Sequence, residues 1–154
     1  MSRISKRLTE LGLTLPTAPK PVAAYVPWVR TGNLVFISGQ IPFREGKLIA
    51  TGAVPSQCGL DAVQAGAKQC VLNALAVLNS ALEGDLDRVV RIVRVGAFVC
   101  SDAGFTDQPK VANGASELLV SLFGEGGRHA RAAVGSIALP LGAAVEIEMI
   151  VEVA

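Results

Sequence analysis

An arginine is the least expected residue in the stretch Ala130-Arg131-Ala132-Ala133-Val134-Gly135. Its small apolar neighbours read as a strand against the core, and a partly buried guanidinium, which cannot shed its charge, needs an anionic partner. The planar fork of Arg131 suits two-point contact with a carboxylate. Two sources of that carboxylate are open. Glu146, in the final strand Val145-Glu146-Ile147-Glu148-Met149-Ile150-Val151, would be a permanent partner tying strands or subunits, whereas a substrate carboxylate would be a transient one. On the residues alone the permanent pair is the commoner arrangement. Glu146 and Glu148 share strand parity, and two glutamates on one strand face usually mark a solvated or edge face. His129, the single histidine, precedes Arg131 by two residues. It reads as a loop or interface residue, able to tune a nearby cleft by protonation.

The remaining reactive side chains carry less. Cys58, Cys70 and Cys100 form no CxxC pair and have no base or metal partner in view, so they read as packing thiols. An odd number of cysteines favours reduced thiols in a cytoplasm. Arg3, Lys6 and Arg7 are followed by no apolar core, so the expected protein is neither secretory nor membrane-spanning, and its expected location is cytoplasmic. P-loop, dinucleotide and His/Cys metal patterns are absent. Gly124-Glu125-Gly126-Gly127 carries an acid and follows a helix, which makes a poor phosphate cradle.

The elements that must position these groups follow from periodicity. Ser2 to Leu11 places Ile4, Leu8 and Leu11 at helical spacing, and Pro16, Pro19 and Pro21 then force an extended segment. Tyr25 to Arg30 and Leu34 to Ser38 read as a hairpin around Thr31-Gly32-Asn33, and Arg44-Glu45-Gly46-Lys47 reads as another turn. The longest element is a helix from Leu60 to Leu82. Val63, Ala67, Cys70, Val71, Ala74, Leu75, Leu78 and Leu82 share one stripe, with Gln64, Lys68, Asn73 and Asn79 largely outside it. A β-branched strand from Val89 to Cys100 follows. A second helix runs from Thr106 or Asp107 to Phe123, with Pro109 in its first turn. Strands at Arg131–Ala138 and Ala144–Val153 complete the chain. The implied fold is α+β: a mixed sheet with two main helices packed on one face.

At 154 residues the expected organisation is one domain, 1–154, with residues 1–21 forming a helix and Pro-rich extension ahead of a core at 22–154. The net charge is +1, which gives no electrostatic reason for a nucleic-acid or anionic-membrane partner. The charged fraction of 18% lies below the roughly 25% of average soluble proteins. High alanine content is the bland reading of that figure; together with a second sheet face too rich in valine for water, it points to self-association.

Two segments carry a family resemblance. Asn33-Leu34-Val35-Phe36-Ile37-Ser38-Gly39-Gln40-Ile41-Pro42 resembles the N-terminal signature of the RidA/YjgF family, also called endoribonuclease L-PSP. The run from Ala130-Arg131 through Leu139-Pro140 to Val145-Glu146-Ile147-Glu148 resembles its second signature. The N-terminal helix and Asp85-Leu86-Asp87-Arg88 look like marks of a subgroup. The resemblance implies a chorismate-mutase-like fold assembled as a homotrimer, with clefts between subunits. It also implies hydrolysis of enamines and imines derived from amino acids to 2-keto acids and ammonia, without metal or organic cofactor. In that pattern Arg131 grips a small carboxylate-bearing ligand and Glu146 positions or activates water. Ser38 and Gly39 line the cleft, Tyr25 forms an aromatic wall, and Asn113 in the second helix reaches the site. Ala133 replaces a cysteine frequent in the family.

Bland roles stand beside these. Tyr25 and Trp28 are more often packing residues, Ser38 can satisfy backbone groups at a strand end, Gly39 can supply backbone freedom alone, and Asn113 can make a local helix bond. Three functions are weighed: an imine-hydrolysing deaminase, a non-catalytic carboxylate binder or sensor, and a ribonuclease or translation inhibitor. For the last, one histidine and near-zero net charge supply neither an acid–base pair nor a basic stacking surface.

Overall fold

Ser2 starts the first helix, α1 (Arg3–Glu10), its Oγ accepting from the Ser5 N–H at 3.1 Å. The helix turns Ile4 and Leu8 into the core, as the spacing predicts. The structure, a computed structural model, describes residues 1–20 and 23–154. Pro16 and Pro19 lie in a segment without regular structure after α1, where Leu13 and Leu15 pack on the core. Pro21 of the expected extension lies outside the described residues.

The start of α1 is capped from across the chain. Asp87 accepts from the Arg3 N–H at 2.7 Å and the Ile4 N–H at 2.9 Å, satisfying donors that a helix leaves without internal partners. The two subgroup marks in the sequence, the N-terminal helix and the Asp85–Arg88 segment, are therefore one device. Desolvation pushes the Asp87 carboxyl up, but the Ile4 and Arg3 N–H groups and the charge of Arg3 outweigh it and lower it overall. A carboxyl lowered in the folded state contributes stability above its unfolded value, about 3.9, and loses it as pH falls through the folded value. Asp87→Ala is expected to cost about 1 kcal/mol at neutral pH. In urea titrations the gap from wild type should narrow as pH falls below the unfolded value and through the folded one.

The first strands are β1 (Trp28–Thr31) and β2 (Leu34–Gln40), a hairpin turned at Gly32-Asn33 with Gly32 at φ +56°. The strand expected from Tyr25 begins three residues later, because Pro27 has no N–H for a ladder. Tyr25 sits in the bend before it. A two-residue hairpin, β3 (Phe43–Arg44) and β4 (Lys47–Leu48), turns through Glu45-Gly46 with φ of 53° and 78°. Positive φ at both central residues is the tight hairpin turn matched to strand twist. The helix α2 (Leu60–Ala81), strand β5 (Val89–Cys100), helix α3 (Gln108–Phe123) and strands β6 (Ala130–Ser136) and β7 (Val145–Val153) follow.

The main sheet has the order β1-β2-β7-β5-β6, with β5 and β6 parallel and the other pairs antiparallel. The mixed sheet with two helices on one face is the expected architecture. On central β7, Val145, Ile147, Met149, Val151 and Val153 are buried toward the helices, while Glu146, Glu148, Ile150 and Glu152 are half-buried on the other face. Phe36, Phe98 and Val134 share that open face with them. The strand β6 ends at Ser136 rather than Ala138 and forms an edge, so most of its residues are exposed.

Small residues let the helices close on one another. A Cβ built on Gly114 of α3 would collide with the Gln64 carbonyl of α2, a helix–helix approach that larger side chains would forbid and that suits a chain with few aromatics. Asn73, outside the apolar stripe of α2, is nevertheless buried. Its Nδ2 donates to the Ile41 and Phe43 carbonyls at 3.1 and 3.0 Å, and its Oδ1 accepts from Gln69 Nε2 at 3.0 Å. The β3–β4 hairpin covers that flank of α2, and buried carbonyls require donors. Among the described residues no helix is long and apolar enough to cross a membrane.

Candidate active site

The six residues singled out in the sequence fall into two groups on opposite faces of the sheet. Tyr25, Ser38, Gly39 and Glu146 line one cavity of about 800 Å³. Its walls include Gln40 and Asn73, and also Pro16, Thr17, Pro19 and Lys20 of the segment after α1. Gln40 lies in the first of the two resembling segments; no motif marks the other wall residues. Proximity of the N-terminal segment to β2 is a tertiary fact.

Each member of this group is held by a local feature. A register shift between Ile37 and Gln40 takes Ser38 and Gly39 out of the regular ladder. Ser38 Oγ donates to the Val26 carbonyl at 2.7 Å, tying the Tyr25 segment to β2, a bond of about 1 kcal/mol. The bland role thus holds for the hydroxyl, while the residue still borders the cavity. Gly39 is needed for close approach, because a Cβ there would collide with the Glu146 carboxylate. The obstacle is a flexible side-chain end, so Gly39→Ala is expected to fold with its melting temperature nearly unchanged. It should displace the Glu146 carboxylate from its place on the cavity wall, a shift that the variant's crystal structure would show.

Burial, and then the neighbouring Glu148 carboxylate, raise the Glu146 carboxyl above its ordinary value. Glu148 itself pairs with Arg94 at 3.0 Å, whereas Glu146 has no ion pair among the described residues. A carboxylate of raised basicity facing a cavity suits proton transfer with a bound water. Beneath it, burial and then Glu146 raise the Cys70 thiol well above its ordinary value, in keeping with a packing thiol. All three cysteines are free and buried.

The second group lies at the sheet edge. Arg131 Nη1 donates to Asn113 Oδ1 at 2.9 Å and to Ser116 Oγ at 3.1 Å, two α3 residues one turn apart. Its Nε and Nη2 donate to no described residue, which leaves one side of the guanidinium fork open for two-point contact. The expected partial burial is corrected: Arg131 is exposed, because β6 is an edge strand. Glu146 is not its partner. Arg131 lies level with Val95 and Met149 and shares their helix-side face, whereas Glu146 lies level with Phe98 on the opposite face, and β5 runs between them. Ala133 packs against the core. Beside Arg131, His129 Nε2 lies 2.8 Å from Ser116 Oγ and its Nδ1 lies 2.6 Å from the Gly127 carbonyl. Sequence reasoning does not single out Ser116. Its spacing of three from Asn113 on a helix is the available signal.

Residues 5–153 match the model of the YjgF/chorismate mutase-like endoribonuclease family. The chain belongs to this family. Both resembling segments lie inside the match. The chain is 45% identical to a protein of unknown function from Agrobacterium tumefaciens, Atu1372, whose crystal structure superposes with a TM-score of 0.93 over 99% of this chain and 93% of that one. Nearly complete coverage means that this relative shares the α1 region as well. Protein TCP17 of Trypanosoma cruzi is 44% identical, covering 97% of this chain and 94% of its own. A 2-iminobutanoate/2-iminopropanoate deaminase of Dermatophagoides farinae is 31% identical, covering 90% and 93%.

Proposed function

We propose that this YjgF-family chain hydrolyses small imino or enamino acids to 2-keto acids and ammonia, in clefts formed where copies of the chain meet, most simply three in a closed ring. The observation that carries the reading is the division of the site. One copy offers a cavity with a basic carboxylate, Glu146, and the edge strand offers Arg131 with the Nε/Nη2 side of its fork open. Within one chain these groups lie two strand spacings apart across the sheet, about 10 Å, three residues apart along it, about 10 Å more, and on opposite faces. A three- or four-carbon substrate reaches both only if a second copy brings its β6 edge to the open face of the first. The apolar residues on that face, Phe36, Phe98, Val134 and Ile150, favour such cover. The Dermatophagoides relative carries the name of this activity.

The chemistry needs little beyond positioning, because an imine is already electrophilic. Arg131 holds the substrate carboxylate in two-point contact. Glu146 takes a proton from water as its oxygen adds to the C=N carbon, and passes that proton to nitrogen. In the resulting carbinolamine Glu146 takes the hydroxyl proton and passes it to the departing nitrogen as the C–N bond breaks and C=O forms, which leaves the carboxylate as it began. The sum is imino acid plus water giving 2-keto acid plus ammonia.

The test generates 2-aminoacrylate in place from serine with a pyridoxal-phosphate lyase and follows pyruvate. Acceleration by the protein at catalytic concentration is expected. A rate equal to the spontaneous one, repeated with the four-carbon imine made from threonine, would overturn the reading.

A further inference from the structure

Resting on the carboxylate role proposed above for Arg131, we infer that His129 is a positioning residue that holds the Arg131 guanidinium in its binding pose through Ser116. The donors and acceptors form one ordered chain. The Gly127 carbonyl can only accept, so the 2.6 Å contact is an N–H donation from Nδ1. In the tautomer with its one proton on Nδ1, Nε2 accepts a hydrogen bond from the Ser116 hydroxyl across 2.8 Å. Ser116 Oγ keeps a lone pair free, and Arg131 Nη1 donates to it at 3.1 Å while also donating to Asn113 Oδ1 at 2.9 Å. Every group is used in its correct sense, and linked bonds of this kind reinforce one another.

The anchor of the chain is rigid. Gly127 is buried, and a Cβ built on it would collide with the Leu119 carbonyl of α3. Its own carbonyl is therefore held where the helix backbone leaves no room for a side chain. From that fixed point the ring, the hydroxyl and the guanidinium are placed in turn. Arginine on an exposed edge strand has four flexible side-chain torsions, and tying down Nη1 removes much of that freedom before a ligand arrives. The tie uses Nη1 alone, so the Nε/Nη2 side is presented outward. His129 touches neither of the open nitrogens and acts only through Ser116.

The experiment compares wild type with H129L, H129Q, S116A and R131A. It reads the Kd of 2-oxobutanoate by calorimetry, KM and kcat in the coupled assay, and the melting temperature and oligomer size of each variant. Both H129L and S116A are expected to weaken 2-oxobutanoate and raise KM about tenfold with kcat changed by less than about twofold, the signature of lost uniform binding. H129Q is expected to recover binding to within about threefold, because its amide oxygen can accept the Ser116 proton. If H129L and S116A bind as wild type does while R131A loses binding, the inference falls and the reading of Arg131 stands. If H129Q is no better than H129L, a packing role replaces the positioning one. If wild type binds no 2-oxobutanoate, or R131A binds it equally well, the carboxylate role of Arg131 fails and this inference with it. Should H129L fold poorly, S116A, a small change at a half-buried position on α3, carries the comparison.

Discussion

Arg131→Ala is expected to lower kcat/KM for a small imino acid by roughly 10²–10³-fold, almost all of it in KM. The variant loses two charge-assisted hydrogen bonds to the substrate carboxylate, together about 3–4 kcal/mol. The carboxylate is held alike before and during reaction, and uniform binding of that kind appears in KM rather than kcat. Arg131→Lys keeps the charge and discards the fork, so it should recover only part of the loss. Stability should barely move, since Arg131 is exposed and its partners on α3 are polar groups within reach of water. The same variant tests the division of the site. Co-expressed with a Glu146 variant, Arg131→Ala should regain activity that neither has alone, because some clefts then receive an intact Arg131 from one copy and an intact Glu146 from another. Kinetics of the separate and co-expressed proteins settle it: no recovery in mixed oligomers would place both groups in one chain's own site.

The elements are legible in the sequence because their signals are local. The strand Val89–Cys100 is a long β-branched run with nothing helical about it, and the stretch Leu60–Leu82 carries eight apolar residues on one stripe, seven of them in α2; periodicity bounds both within a residue. The position of Arg131 is not legible in the same way. Ala, Gly and Val around it describe a buried strand and an edge strand equally well, and only the strand order separates them. That order also hides the partition of the site. In the chain β7 follows β6, but in the sheet it inserts between β2 and β5, so Glu146 sits beside Ser38 and Gly39 and away from Arg131. The burial of Asn73 is hidden for a related reason, since the hairpin that covers it comes from another part of the chain. Gly39 and Asn113 are candidates through the family motifs, and no spacing rule would have picked them.

Because the open face is the face of Glu146, function and stability make opposite demands on that residue. A carboxylate placed half out of water beside a second glutamate is costly to keep charged. Tied to a cation it would be quieter and a poorer base. Arg94 is spent on Glu148, and Arg131 is turned to the other face. The arrangement leaves Glu146 basic and available to a water in the cavity.

Glu146→Gln should therefore lower kcat by about 10²–10⁴-fold, the usual range for a lost general acid–base group, while KM stays near its wild-type value. It should also fold at least as stably as wild type at neutral pH. The Glu146 carboxyl is raised in the folded state, first by burial and then by Glu148. A group raised above its unfolded value, about 4.3 for glutamate, contributes its stability fully below that value and loses it as pH rises through the folded one. Wild type should thus lose ground to Glu146→Gln between about pH 4 and pH 7, a difference read from urea midpoints at the two ends. Removing Glu148 as well should shrink the difference, because part of the upward push comes from its charge. A glutamine variant that loses both turnover and stability would mean that the carboxylate holds the fold together, and the proton-transfer role would then need another residue.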